Sequence, residues 1–236
     1  LARIWEAYGI DVTREYYIND AGNQIEKLGL SVLIRYINLF GRDIQLPEDS
    51  YHGSEVIDCA KILKEQFNDK FLYMKYDDHG IIKETDRDVE YAHIIKTFAK
   101  TYMLSIIKNT LNDFGVKMDI WFSETELYKN HLIDAILDNL KQNTYLSEGA
   151  LWLKTTEKGD DKDRVLVKSD NTYTYFLPDI AYHNVKMARG YDKIFNIWGS
   201  DHKSYADRMK IAVELCGFDP HKLDILIMQM VRIVKG

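Results

Sequence analysis

Cysteine is almost missing: the 236 residues hold two, Cys59 and Cys216, each inside an apolar helical pattern and neither in a paired metal-type spacing. That excludes a disulfide scaffold, argues against a thiolate metal module and leaves two buried free thiols in a reducing compartment as the expectation. Three prolines and 13 glycines are too few for a collagen-like chain. No basic start followed by an apolar core marks a signal peptide, and no apolar run reads as a membrane span. Basic charge is not in excess either. Lys plus Arg total 31 against 37 Asp plus Glu, a net charge of −6, which excludes a globally basic nucleic-acid binder and requires a local basic face for any polyanion partner.

What is present suits a folded protein. Hydrophobic residues at 46% supply a core, and the charge is too balanced for disorder. The length fits one large domain or two small ones. Leu1, Ile4, Trp5 and Tyr8 fall at i, i+3, i+4 and i+7 with no cap in front and no initiating Met, which reads as a helix already in progress in a chain cut from something longer. After Gly9, residues 12–18 alternate as a strand. Residues 23–40 keep a 3.6 period through Ile25, Leu28, Val32, Leu33, Tyr36, Ile37 and Phe40 and stop at Gly41.

Pro47 and polar residues 48–54 break that pattern, and Val56, Ala60, Leu63 and Phe67 then mark another helical face. A third and longest helix spans 89–114 and stops at Gly115; residues 71–85, weakly periodic, read as loop. Residues 119–122 suit a short strand, and 127–140 a helix opened by Ser123, with Glu126 at capping-box spacing. A mostly helical middle between flanks that alternate strand and helix suggests an insertion into an α/β domain: 1–54 as its first part, 55–145 as the insertion, 146–236 as its second part.

Residues 157–164, dense in charge, read as a solvated hairpin tip between 151–155 and 165–168. Beyond the turn pair Asp170 and Asn171, residues 172–176 alternate as a strand, 180–188 turn helical, 194–198 form a buried strand, 204–216 a helix and 223–234 a final strand. Strand, helix, strand, helix, strand is half of a doubly wound parallel sheet, whose ligands bind at the carboxyl ends of strands.

That rule singles out Tyr175 and Asp179 after one strand, and Gly199, Asp201 and His202 after the next. Gly199 either lets a ligand approach the backbone or makes a plain turn; Asp201 either accepts from ribose hydroxyls or caps the helix that follows. Asp179 reads either as the cap of helix 180–188 or as a carboxylate that recognises a cation, a planar guanidinium giving the bidentate match. His183, four residues on, suits a simple side-chain pair with it. His93, His183 and His202 lack zinc-ligand spacing, so no metal site is expected in the chain. The lysines at 61, 64, 70, 96, 100 and 108 are interspersed with acids and read as exposed helix decoration.

The ordered runs EYYINDAGNQIEKLG (15–29), YHGSEVIDCA (51–60), MDIWFSETELY (118–128), TYTYFLPDIAYHNVKMARGYDKIFNIWGSDHKSYADRMK (172–210) and MQMV (228–231) closely resemble arginyl-tRNA synthetase of the bacterial kind. The resemblance implies a class I synthetase: an α/β fold with a Rossmann-type doubly wound parallel sheet, interrupted by a mostly helical connective insertion. It further implies ATP-dependent activation of L-arginine, with Mg²⁺ held on phosphate oxygens, and transfer to tRNA(Arg), in a cytoplasmic monomer without a membrane segment.

By the same resemblance, Tyr175 and Asp179 hold the arginine side chain, and Gly199 and Asp201 support the ATP ribose. His202 stands where some members carry glutamine, which leaves its role open between nucleotide and arginine. Gln229, Met230 and Val231 match the strand end that meets adenine. Asn19, Asp20, Asn23 and Gln24 match a motif near the cleft that serves support or the tRNA acceptor end. The family's His-x-Gly-His and Lys-Met-Ser-Lys elements are absent from the 236 residues, so no catalytic residue is assigned within them and the chain alone is expected to be inactive. The alternative is a non-catalytic RNA- or protein-binding module derived from the same fold. A cysteinyl-type synthetase would need more thiolate ligands than two cysteines supply.

Overall fold

A computed structural model describes residues 1–232 and 234, in two units: Leu1–Ser123 and the residues from Glu124 onward. In the first, α1 (Ala2–Ala7) leads to β1 (Glu15–Ile18), followed by α2 (Asn23–Asn38), α3 (Ser54–Phe67), a small hairpin of β2 (Tyr76–Asp77) and β3 (Gly80–Ile81), α4 (Asp86–Asp113) and β4 (Ile120–Ser123). β1 and β4 pair in parallel, Glu15 opposite Ile120 and Ile18 opposite Ser123. Parallel neighbours need a long crossover, and the helices between them provide it. The pair brings β4, inside the 55–145 stretch, back to the opening strand.

The core of this unit follows from helical spacing. α2 buries Val32, Leu33, Tyr36 and Ile37 against Val56, Cys59, Ala60 and Leu63 of α3 and Ala92, Ile95 and Ala99 of α4, with Phe71 completing the cluster. Gly29 is set by close approach: a Cβ there would stand 2.6 Å from Lys96 Cγ. Its absence lets Lys96 lie across α2 and reach Glu26 at 2.6 Å, while Lys83 holds the same carboxylate at 3.2 Å.

Three expectations change here. Residues 71–85 are not all loop, because the Asp77 carboxylate accepts from the backbone N–H of His79 and Gly80 at 2.8 and 3.0 Å and closes the hairpin; two-residue strands are too short to leave an alternation signal. α4 starts at Asp86, ahead of residue 89, because Thr85 and Asp88 form a capping box. The stretch 127–140 is two helices, α5 (Thr125–Lys129) and α6 (Leu132–Leu140), broken by His131 in the left-handed region at φ +55°. Ser123 caps neither: it ends β4, and its hydroxyl donates to the Asp20 carboxylate at 2.7 Å.

The second unit opens with α5 and α6, then the antiparallel strands β5 (Thr144–Ser147), β6 (Ala150–Leu153) and β7 (Arg164–Val167). Glu148 and Gly149, at φ +51° and +76°, make the two-residue turn that joins β5 to β6. The charged tract expected at 157–164 links β6 to β7 as a hairpin tip should, except that Arg164 already belongs to β7, opposite Leu153. Residues 172–176 do not form a strand: only Tyr173 bridges to Val167, and α7 (Phe176–Ala188) begins at once. Pro178 sits in the first turn of α7, where the missing N–H costs no helical bond. β8 (Ile194–Gly199), α8 (Tyr205–Leu215) and β9 (Leu223–Met228) then form one βαβ unit with parallel strands, where two were expected. β9 stops at Met228, short of the expected 234; residue 233 lies outside the described residues. Mixed α/β architecture with parallel strands and a helical region is thus observed.

Cys59 and Cys216 are buried and free, and burial pushes both thiols up to about 12. Native protein at pH 8 should therefore resist iodoacetamide at both sites and take up two labels only after unfolding, as read by mass spectrometry. Rapid native labelling at either cysteine would contradict this packing. No described helix is long and apolar enough to cross a membrane.

Candidate functional site

The carboxyl ends of β8 and β9 lie side by side, because Gly199 pairs with Met228. Gly199 to His202 therefore leave one strand beside Gln229, Met230 and Val231 leaving the other, the placement at which α/β sheets bind ligands. Among the described residues, nothing apart from its chain neighbours lies within 4 Å of the position a Gly199 Cβ would take. Asp201 and His202 are exposed in a 3-10 turn, Ser200–His202. Asp201 does not cap α8: the cap position is Ser204, without a side-chain hydrogen bond. Met230 and Val231 are exposed.

Tyr175 and Asp179 come from the first turn of α7, where Tyr175 is the cap residue and Asp179 stands inside the helix. The cap reading of Asp179 is therefore set aside. Its carboxylate accepts the Tyr205 hydroxyl of α8 at 2.7 Å through Oδ2. Burial pushes the Asp179 carboxyl above its ordinary value, opposed by the Tyr205 hydrogen bond and by the charges of Lys186 and His202. The Tyr175 ring points away from burial, 78% exposed, into an open cleft of about 410 Å³ that Trp152, Thr174, Phe176, Tyr205 and Arg208 also line.

Beneath Asp179 a buried polar chain fixes α7 to β8. Lys186 Nζ donates to Asn196 Oδ1 at 2.7 Å, and the Asn196 amide donates to His183 Nε2 at 2.6 Å. The other ring nitrogen, Nδ1, then carries the proton and donates to the Asp179 backbone carbonyl at 2.7 Å. Burial, helped by the Lys186 charge, holds His183 well below its ordinary value, so the imidazole is neutral. The ammonium of Lys186 also stands 4.3 Å from the Tyr182 ring centroid. His183 thus bonds the backbone of Asp179 and not, as its spacing suggested, the side chain.

His202 and Tyr205 pack with Trp198 at ring-centroid distances of 5.9 and 5.8 Å. Tyr205, Asn196 and Lys186 were not among the expected site residues. Nothing local marks them, since Tyr205 reaches Asp179 across 26 positions of sequence.

In the first unit, Asn19, Asp20, Asn23 and Gln24 follow β1. Asp20 is buried and ties three elements: it accepts from Lys100 of α4 at 3.0 Å and from Ser123 at the end of β4. Asn19, Asn23 and Gln24 are exposed, and Gln24 Oε1 accepts from the Tyr51 hydroxyl. Lys100 and Lys96, placed among exposed decoration by sequence, serve as partners of Asp20 and Glu26. Among the described residues, no three His, Cys, Asp or Glu side chains converge as a metal cage.

Comparison with known proteins identifies the family. The family model for the catalytic domain of class I tRNA synthetases (R) matches residues 1–234. An arginine–tRNA ligase of Malacoplasma penetrans is 46% identical over 241 residues, covering 100% of this chain and 42% of the relative; one from Geobacillus kaustophilus is 45% identical over 238 residues, covering 100% and 41%. The chain thus spans about two fifths of the length of these relatives. An arginyl-tRNA synthetase of Campylobacter jejuni, known from a crystal structure, superposes with a TM-score of 0.85 at 38% identity, covering 97% of this chain and 48% of that one. The Thermus thermophilus enzyme, at 18% identity and a TM-score of 0.64 over 97% of this chain and 43% of its own, shares the fold. With a catalytic-domain model matched along nearly its whole length, the chain belongs to the arginyl-tRNA synthetase family of class I.

Proposed function

We propose that this chain is the arginine-binding and part of the ATP-binding segment of an arginine–tRNA ligase. The observation that carries the reading is the partly buried carboxylate of Asp179, fixed by Tyr205 beside the carboxyl ends of two parallel strands. A carboxylate drawn partly out of water gains from a cationic partner, and a guanidinium fork matches it in plane and in charge. Tyr175, Asp179 and His202 are assigned to L-arginine. Gly199, Asp201, His202, Gln229, Met230 and Val231 are assigned to ATP, the open space at Gly199 admitting the ribose. Asn19, Asp20, Asn23 and Gln24 are assigned to cleft support or the acceptor end of tRNA(Arg); Asp20 holds the loop, which leaves the exposed members for contact.

In the reaction, the arginine carboxylate attacks the α-phosphorus of ATP, and the bond to pyrophosphate breaks. The terminal tRNA hydroxyl then attacks the acyl carbon and releases AMP. Among the described residues no side chains converge as a metal cage, and the place of Mg²⁺ would be on phosphate oxygens, where it would neutralise charge. The enzyme is read as a cytoplasmic monomer in which 55–145 forms the helical insertion, a reading supported by α3, α4, α5 and α6, which together fill more than half of that stretch.

Catalysis of this kind rests on positioning and on stabilising charge at the α-phosphate. The His-x-Gly-His and Lys-Met-Ser-Lys elements that serve it in the family do not occur in these 236 residues. The purified 236-residue chain is therefore expected to show no arginine-dependent ATP–pyrophosphate exchange. Exchange above the arginine-free background would overturn the assignment of catalysis to those elements.

A further inference from the structure

Tyr205 is the first residue of α8, and its hydroxyl donates to Asp179, at 2.7 Å from Oδ2. The carboxylate torsion of an aspartate is broad, without sharp staggered wells. The plane of Asp179 is therefore set by its partners. A guanidinium pairs with both carboxylate oxygens only when the two planes coincide. The Tyr205 ring is itself held on several sides: Phe176 edge-on at 5.6 Å, Trp198 at 5.8 Å, His202 at 6.3 Å, and the Arg208 guanidinium 5.3 Å from the ring centroid. A ring so confined delivers its hydroxyl to one point, and the oxygen that accepts it is fixed there.

Resting on the reading of Asp179 as the partner of the arginine side chain, we propose that Tyr205 is a positioning residue that fixes the plane of that carboxylate and so sets the preference for a guanidinium over a neutral ureido group. After the tyrosine hydroxyl, one acceptor site remains on Oδ2 and both on Oδ1, enough for a two-pronged cation. A donor on Oδ2 also favours the ionised, acceptor-only carboxylate. A protonated Asp179 would instead donate to a ureido carbonyl, the group that citrulline carries in place of guanidinium.

The test uses the full-length enzyme containing this segment, as wild type, Tyr205→Phe and Asp179→Asn, in arginine-dependent pyrophosphate exchange with citrulline as competitor. Tyr205→Phe keeps the ring packing and removes the donor. It should raise the arginine KM roughly 10-fold or more, the loss typical of a hydrogen bond to a charged group. kcat and the ATP KM should stay within about twofold and citrulline inhibition should be unchanged or stronger, because a misfolded site moves all of these. An unchanged arginine KM, or arginine and citrulline weakened together, would show that Tyr205 only packs. Asp179→Asn separates the two levels: if it leaves the arginine KM unchanged, the underlying reading of Asp179 fails, and the proposal with it.

Discussion

Asp179→Asn in the full-length enzyme raises the arginine KM by roughly 30- to 5,000-fold, as expected from the loss of about 2–5 kcal/mol when one partner of a buried, hydrogen-bonded charge pair is truncated. The ATP KM changes by less than about threefold. The effect is large because the substitution is nearly isosteric yet removes the charge, leaving an amide N–H₂ to face the guanidinium donors. Asp179 stands inside α7 rather than at its cap, so the helix loses no capping bond that could account for a change in both ligands. Steady-state exchange kinetics with each substrate varied in turn checks it, and equal losses for arginine and ATP would place Asp179 outside arginine recognition.

The same carboxylate sets a pH dependence. The groups facing it are Tyr205 from α8, His202 from the 3-10 turn, Tyr128 from α5, and His183 and Lys186 from its own helix. Burial, joined by the charge of Glu124, pushes the Tyr128 hydroxyl up to about 12, so it stays neutral. Burial raises the Asp179 carboxyl above its ordinary value. Arginine affinity is then full above the raised value and is lost as pH falls through it, at a higher pH than for a solvated aspartate of about 3.9. For the unliganded protein the sign is opposite: protonating a partly buried carboxyl whose folded value is raised adds stability as pH falls.

Asn196→Leu should destabilise the protein by about 3 kcal/mol, because it removes the acceptor of the Lys186 ammonium and the donor to His183 Nε2 in one step. Both groups are buried, so water replaces neither bond cheaply. Lys186→Met removes the charge itself and fills the space with an apolar chain, and should cost clearly less. The ordering separates a charge that needs a partner from a polar pair that merely fits. Thermal melting and hydrogen exchange of the α7 amides read it: Asn196→Leu lowers the melting point by roughly 5–10 °C and speeds exchange in the turn that carries Asp179. Equal losses for the two variants would mean that the buried charge is not what the asparagine serves.

Much of this was legible in the chain. The 3.6 period of α2, α3 and α4 marks the faces that form the first core, and Gly41, Gly115, Gly190 and Gly217 stop helices where expected, each at positive φ. Gly199 and Asp201 stand out because a strand end and family likeness both point to them, whereas Asp179 follows an expected strand that does not form and Gln229 is marked by family likeness alone. The misses have a common cause. The apolar spacing runs unbroken across His131, so nothing in it reports the left-handed residue that splits α5 from α6. Alternation in 172–176 imitates a strand, although a helix start with Pro178 in its first turn overrides it. Polar partners such as Tyr205 for Asp179, or Lys186 and His183 for Asn196, meet across α7, β8 and α8. Periodicity tells which face is buried and carries no information on which distant polar group will answer it.

The most direct measurement is a crystal structure of the full-length enzyme with L-arginine bound. The guanidinium should lie within hydrogen-bond distance of the Asp179 carboxylate, with Tyr205 still donating to Oδ2 and the amino-acid end of the ligand toward Gly199 and the ends of β8 and β9. Arginine held elsewhere, with Asp179 bonded only to Tyr205, would contradict this placement.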